Sequence, residues 1–426
     1  MNTARQPEGI PGGGEYRARS NPEVDLNRAH DPWPAIGYEE RPWDPGEDDA
    51  IWGSKSQRQR RERGHYKAAV TPEIAEIPAI ELPSDVEVLA AAASTEIVRF
   101  DAEIGAEIAP FSSILLRSES AASSEIENLT AGARAIALAE LGDKSKRNAA
   151  LVVANTTAMR SAIALADHLD KGTIITMHTA LLRDEHPEWT GDWRNDQVRI
   201  GGNTVHSATF VPPHQDRVPA AMDDLIKFMA RTDMTPLVQA AVAHAQFETI
   251  HPFPDGNGRV GRALVHAILR NKGLTESVTV PVSAGLLVNV DDYYRALDHY
   301  RLGEPAHIVR HMAEASFEAI ENGRQLVADI RAVREGWQGK ITARSDSRAW
   351  PLSEFLLRQP AITSAVVQEE LGVQQQVADR AIDTLVDAGI LTKVSGNHRN
   401  RKWAALEILD ALDDFAGRTG RRKTHG

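Results

Sequence analysis

Residues 251–262 read HPFPDGNGRVGR, and the fold turns on how this stretch is taken. Gly256, Gly258 and Gly261 have the GxGxxG spacing of a dinucleotide-binding turn. That spacing is informative only between a strand and a helix. Here Val238, Ala241, Val242 and Ala245 recur at i, i+3, i+4 and i+7, the period of an amphipathic helix. Beyond the glycines, Val260, Ala263, Leu264, Ala267 and Ile268 keep the same period, so a second helix begins near Asn257. The stretch is therefore helix, loop, helix. A Rossmann crossover does not fit, and a GxxxxGK[ST] P-loop is absent from it.

The residue types still point at phosphate. Gly256 and Gly258 let the backbone approach an anion closely. The new helix offers free N–H groups and the positive end of its dipole. Arg259 and Arg262 lie three apart on one helical face and could clamp two phosphates with bidentate donors. Asp255 supplies a hard oxygen ligand suited to Mg²⁺. His251 is the nearby group whose ordinary pKa suits a general base at neutral pH. The bland alternative is a corner in which Asn257 caps a helix, His251 packs at the surface and the arginines are solvated. All these residue types within one short loop weigh against it.

HPFPDGNGRVGR matches H-x-F-x-[D/E]-G-N-G-R-x-x-R, the signature of the Fic family, at every defined position. The resemblance extends over about residues 66–335. It implies a mainly α fold, a helical bundle with a β-hairpin flap, and transfer of AMP from ATP to a hydroxyl of a target protein. It implies that His251 deprotonates the acceptor hydroxyl. Asp255 would hold Mg²⁺ (or Mn²⁺), and Gly256, Asn257 and Gly258 would form the anion hole. Arg259 and Arg262 would bind the β- and γ-phosphates, and Phe253 would anchor the loop in the core. Val198 to Pro213, VRIGGNTVHSATFVPP, alternates β-branched residues around Gly-Gly-Asn, which suggests a short hairpin. In the family such a flap aligns the target by adding it as a strand. Thr209, Phe210 and Val211 are the expected backbone contacts, unless the segment is a plain connector. Tyr293 and Tyr294, beside Asp292, are candidates for the adenine pocket or for plain core.

Upstream stands SSEIEN, residues 123–128. Alone it is an ordinary polar helix segment. Beside the signature it resembles the inhibitory pattern [S/T]-x-x-x-E-[G/N], with Ser123, Glu127 and Asn128. The resemblance implies that Glu127 pairs with Arg262 and keeps it from the γ-phosphate. In some relatives the same glutamate positions a water that removes AMP from a modified target, and the sequence leaves that balance open.

The rest of the chain sets limits. It has 426 residues, 42% hydrophobic and 25% charged, with net charge −12 and no cysteine. That length allows two or three domains and a sizeable core. Disulfides, thiolate zinc sites and cysteine nucleophiles are excluded. No apolar run approaches the ~20 residues needed to span a bilayer. The N-terminus lacks an apolar signal region, so the expected location is cytoplasmic, with no membrane partner. The acidic balance argues against a nucleic-acid coat.

Residues 1–65, rich in Pro, Gly and charge, read as a disordered or extended arm. Trp33-Pro34, Pro42-Trp43 and Ile51-Trp52 in it could pack on the folded body, and the run from Lys55 to Lys67 is basic. Pro83, Ser84 and Glu87 suggest a capping box opening a helix. Residues 66–145 form a helical region containing the inhibitory segment, and 146–335 the catalytic core. Residues 336–345 read as a linker, 346–412 as a small winged-helix-like domain, and 413–426 as a basic tail. The second helix of that domain carries Asp379, Asp383 and Asp387 against Arg380, while its wing has His398, Arg399, Arg401 and Lys402. A DNA reader should present a basic recognition helix. Protein docking or support of a homodimer is favoured over DNA binding. The leading function is a self-inhibited protein adenylyltransferase acting on a Ser, Thr or Tyr hydroxyl. The alternatives are another Fic-type transfer (phosphoryl, UMP, GMP or phosphocholine) or a nucleotide-sensing transcription regulator.

Overall fold

The computed structural model describes residues 33–43, 64–78, 80–106, 110–394 and 401–419. Its body is helical. The elements in order are α1 (Ser84–Gly105), α2 (Pro110–Ile126), α3 (Ala133–Glu140), α4 (Arg147–Ala164), α5 (Lys171–Leu182) and α6 (Val218–Ala230). Next come α7 (Pro236–Ile250), α8 (Asn257–Asn271), α9 (Val282–Val288), α10 (Val290–Arg301) and α11 (Ala306–Lys340). The helix expected before the glycine loop is α7, and the one expected from Asn257 is α8.

Helix α7 is the hub. Every residue from Leu237 to Ile250 is buried, because α1, α6, α8, α10 and α11 all pack on it. The sequence suggests an amphipathic helix there; the structure makes it central. Seven alanine, valine and leucine positions keep it slim, and Gln239, His244, Gln246 and Thr249 find partners inside. Gln239 donates to the carbonyls of Phe228 and Met229, at 2.8 and 3.2 Å. Helix α8 is nearly as deep, with Arg259 to Leu269 buried. Helix α1 begins where expected, but Ser84 is its first helical residue rather than its cap. Pro83 precedes it in an extended conformation, and its carbonyl accepts from the Val86 and Glu87 amides.

Part of the N-terminal segment is extended and paired. Strand β1 (Gly37–Trp43) pairs antiparallel with β2 (Gly64–Val70), Gly37 opposite Val70 and Trp43 opposite Gly64. Strand β1 exposes most of its residues, so no period-2 apolar signal marks it. Its partner and the body supply what its sequence lacks. Trp33 packs on Tyr300 at 6.1 Å and Trp43 on Tyr66 at 5.7 Å. Ile51-Trp52 and the basic run up to Arg63 lie outside the described residues.

The C-terminal unit holds α12 (Ala349–Arg358), β3 (Ala361–Thr363), α13 (Ser364–Leu371), α14 (Gln375–Asp387), β4 (Thr392–Lys393), β5 (Lys402–Ala404) and α15 (Leu406–Arg418). Its antiparallel sheet has the order β3-β5-β4. Gly372 ends α13 with φ 60°. The wing residues His398 and Arg399 lie outside the described residues. Lys402 is paired with Asp143 at 3.1 Å, and Asp379 accepts from Ser364 Oγ at 2.7 Å. Arg117 on α2 also reaches this unit. It pairs with Glu140 at 2.7 Å, donates to Gln359 Oε1 at 2.8 Å, and donates to the Arg358 carbonyl.

Two expected boundaries shift. Helix α11 runs through residues 336–340 of the expected linker, because Trp337 is buried against the C-terminal unit and its Nε1 donates to Glu407. Burial of one indole outweighs the poor helix propensity of Gly336 beside it. The expected basic tail is helical as far as Arg418, which bonds Asn322 Oδ1 at 2.6 Å. No helix among the described residues is long and apolar enough to cross a membrane.

Trp337→Ala should lower stability by about 3–5 kcal/mol, the range for removing a buried large aromatic. Urea unfolding of the full chain measures it, and a change under 1 kcal/mol, less than a buried methylene or two, would mean that this indole does not join the two parts.

Candidate active site

The loop between α7 and α8 is tied at several points. Helix α7 ends at His251, which adopts φ 52° in the left-handed region, uncommon for a residue with a side chain. Arg194 secures it: its Nε donates to the His251 carbonyl at 2.8 Å, and its own amide donates to the Pro252 carbonyl at 2.9 Å. Phe253 is fully buried, stacked on His178 at 3.7 Å and packed on Trp193 at 5.3 Å. His178 also contacts the Asp255 carbonyl through Nε2 at 3.1 Å. Asn257 closes the loop. Its Oδ1 accepts from the Phe253 amide at 2.9 Å, and its Nδ2 donates to the Phe253 carbonyl at 2.8 Å. Gly256 has φ 80°, and a Cβ there would lie 2.7 Å from Leu181. The side chain of Asn257 is thus consumed by the loop. Any anion would meet backbone N–H groups, not this amide.

The charged groups then fall into place. Asp255 is half-exposed and 3.1 Å from Arg259 Nη2. Arg259 is buried, and its Nε and Nη1 have no hydrogen-bond partner among the described residues. Leaving such donors unmatched is costly, so the site suits an added anion. Arg262, one turn on, is also buried, and its Nε and Nη2 are engaged. Its Nε donates to Ser123 Oγ at 2.9 Å, and its Nη2 donates to the Ser123 carbonyl at 2.7 Å and to Glu127 Oε1 at 2.9 Å. Burial would lower the Arg262 pKa, but the Glu127 carboxylate, Tyr293 and Glu248 outweigh it and hold the group firmly charged. Glu127 comes so close that a Cβ on Gly258 would stand 2.0 Å from its Oε1. Asn128 follows with φ 60°, ending the segment in a left-handed turn. The structure therefore brings Ser123 and Glu127 together with Arg262, across 139 and 135 residues of chain.

Residues 168–269 match the Fic/DOC family. This stretch is a Fic domain. Protein adenylyltransferase fic-1 of Caenorhabditis elegans is 28% identical over 158 residues, 36% of this chain and 28% of that protein. A probable protein adenylyltransferase of Aquifex aeolicus is 41% identical over 87 residues, 20% of this chain and 27% of that protein. The chain spans less than a third of the length of these relatives. Among solved structures, a Fic family protein from Desulfovibrio desulfuricans aligns with a TM-score of 0.49 at 24% identity, covering 79% of this chain and 98% of that one.

Other expected members of the Fic site are placed differently. The flap is not a strand ladder: one bridge joins Ile200 and Phe210, with N–H···O bonds of 2.8 and 3.1 Å in the two directions. Phe210 therefore spends both its backbone groups within the flap. The Val211 carbonyl accepts from the Ala69 amide of β2 at 3.0 Å, so Val211 cannot offer that oxygen to a docked strand while β2 is seated. Phe210 and Val211 are buried, whereas Thr209 is exposed. The positive φ values of Gly201 and Gly202 bend the segment out of register. Tyr293 takes the core reading: it is 1% exposed, and its hydroxyl bonds His244 Nε2 at 2.8 Å. It shares the helical face that packs on α7 and α11. Tyr294, one step round the helix, is 41% exposed and donates to the Ile126 carbonyl at 3.3 Å.

Three residues packed around the loop escape a motif-based reading. Arg194 spans the loop and the flap, since its Nη2 also donates to the Pro213 carbonyl at 2.5 Å. Burial lowers its pKa to about 10, which leaves it charged. Glu248 lies three residues before His251, with Oε2 at 4.0 Å from His251 Nδ1. Burial pushes its carboxyl up to about 7 against the pull of Arg262, and Glu127 adds to the rise. A carboxylate in a wholly buried helix, one turn from a histidine, was its only signal. His178 carried none, because its partner Phe253 is 75 positions away. His251 itself is held well below its ordinary pKa, first by burial and then by the Arg194 guanidinium, so it is neutral and able to accept a proton at pH 7.

His244 and His178 are likewise held neutral, chiefly by burial, at about 3 and about 4 against an ordinary 6.5. The unfolded chain binds these protons at higher pH than the folded one, so stability should be full above pH 6.5 and fall as the pH drops below it. Each histidine contributes a slope of about 1.4 kcal/mol per pH unit. Urea titrations at several pH values between 7 and 4 check this. A His244→Gln variant should show a shallower decline, and an equal slope in both proteins would remove His244 from the account.

Proposed function

We propose that this protein is a self-restrained protein adenylyltransferase, moving AMP from ATP to a Ser, Thr or Tyr hydroxyl of a target protein and of itself. The observation that carries the reading is the pair of buried arginines at the start of α8. Arg259 has unmatched donors, and Arg262 is held by a carboxylate that an ATP phosphate would replace. The Fic match and the adenylyltransferase relatives support the class of reaction.

The chain's own groups suit each step. The acceptor oxygen attacks the α-phosphorus while neutral His251 takes its proton. The bond from the α-phosphorus to the bridging oxygen breaks, and pyrophosphate leaves. Preorganised donors stabilise charge that builds on the equatorial oxygens. Here these are the N–H groups of Gly256, Asn257 and Gly258, aimed by the Asn257–Phe253 closure. Arg194 and Glu248 position the imidazole rather than react. The half-exposed Asp255 carboxylate beside Arg259 fits Mg²⁺ or Mn²⁺, which when bound would neutralise phosphate charge. The flap near Thr209 would align the target, with protein docking also assigned to the winged-helix-like C-terminal unit. That unit's Asp383 and Asp387 are exposed on α14, which favours a protein partner over DNA.

Labelling with ATP carrying the isotope at the α- or the γ-phosphorus tests the class: label should enter protein from the α-position alone. Transfer of the γ-label would make the enzyme a kinase. His251→Ala should reduce transfer by ~10²–10⁴-fold while ATP still binds; activity within a few-fold of wild type would take His251 out of the mechanism.

Glu127→Gly should raise automodification roughly ten- to hundred-fold. A charge-assisted bond to arginine is worth ~1.5–3 kcal/mol, and ~1.4 kcal/mol is tenfold. In an Arg262→Ala background the same change should add little. Equal rates for wild type and Glu127→Gly would make residues 123–128 an ordinary helix end. Slower release of AMP from a premodified target by the variant would assign Glu127 to the reverse task.

A further inference from the structure

The turn between α10 and α11 gathers three metal-ligating side chains away from the Fic loop. Glu304 Oε2 is 2.5 Å from His299 Nδ1 and 3.5 Å from His307 Nε2. The two imidazoles stack with centroids 3.9 Å apart and 19° between planes. All three donor atoms lie within 4.8 Å of one another. Each ring thus sets one nitrogen beside the same carboxylate oxygen, and to share one ion the two rings must turn out of their nearly parallel stack.

The backbone fixes this convergence. The Glu304 amide donates to the His299 carbonyl and the Gly303 amide to the Tyr300 carbonyl, both at 3.0 Å, with Gly303 at φ 88°. These are the paired bonds of a Schellman cap, which set the residue after the glycine against the residue five before it. That contact is commonly apolar; here it is carboxylate on imidazole. Pro305 then starts α11 and leaves His307 in its first turn. A helix end, a tight cap and a helix start fix the backbone at the three positions, while the side chains are about half-exposed and free to turn toward an ion.

We propose that His299, Glu304 and His307 bind one divalent transition-metal ion, with Zn²⁺ the best fit. Two imidazoles and one carboxylate are borderline donors of the kind Zn²⁺ takes, and the fourth tetrahedral position stays open to water. Mg²⁺, which prefers an all-oxygen octahedron, is excluded from this site and remains the ion suited to Asp255. The ion's role is structural. The same turn supports the N-terminal segment, whose Ile36 amide donates to the Arg301 carbonyl at 3.0 Å. It also supports the flap, since the Arg301 guanidinium lies 3.9 Å over the Phe210 ring. An ion joining α10 to α11 steadies both supports. The proposal stands whether or not the adenylyltransferase reading holds.

The test uses the full chain without a tag, stripped by chelator and free of nucleotide. Calorimetric titration with ZnCl₂ should show one ion per chain at micromolar affinity or tighter. Co²⁺ should give the visible ligand-field bands of a four-coordinate site. His307→Gln, which keeps side-chain bulk, should weaken Zn²⁺ by roughly tenfold or more, since even outer-sphere partners are worth that. The double variant His299→Ala/His307→Ala should abolish both signals and the rise in Tm that Zn²⁺ gives the wild type. His186→Ala, at another surface histidine beside a glutamate, should change none of them. Absence of stoichiometric Zn²⁺ binding in the wild type, or unchanged affinity in His307→Gln, would overturn the proposal.

Discussion

Arg262 is 2% exposed, and its guanidinium is held by an anion, the Glu127 carboxylate at 2.9 Å. Removing one partner of a buried ion pair costs several kcal/mol, because the remaining charge is left in a medium that cannot solvate it. That constraint ties the two halves of the body together. Helix α2 must end where Ser123 and Glu127 can reach α8, and α8 must begin where Gly258 admits the carboxylate. The exchange of one anion for another is then the natural event at this site.

The loop that precedes Arg262 shows the same economy. Its aromatic anchor holds the loop by packing, while its amide closure and the Arg194 bridge satisfy backbone groups beside the left-handed His251. Backbone strain persists where the surroundings over-determine it, and here three ties do so. The imidazole is aimed by the fold before any ligand arrives, which is what reduces the cost of reaching a transition state.

The loop and its two helices were legible because the motif is dense and its flanks keep a clean helical period. The Glu127–Arg262 pair was legible only through likeness, since no local pattern links positions 135 apart. Glu248, Arg194 and His178 were not, because their meaning comes from tertiary neighbours. Strand β1 was missed for want of an apolar alternation. The linker was misplaced because a glycine weakens a helix less than a buried tryptophan secures it. Tyr293 shows the reverse: the resemblance suggested a ligand contact, while the three-residue spacing to Ala296 and the seven-residue spacing to Tyr300 already marked a core stripe.

Arg117 gives helix α2 an unequal pair of ends. Near its middle the helix is moored to Glu140, Gln359 and the Arg358 carbonyl by a guanidinium with little exposure. At its end, the Glu127 side chain is 38% exposed. Withdrawing the whole helix would strand Arg117, so motion there is dear. Swinging one half-solvated carboxylate is cheap, and exposed side chains change rotamer in picoseconds to nanoseconds. The latch on this site is thus a side chain on a fixed post, quick to open and quick to shut, and what holds it shut is the scarcity of rival anions.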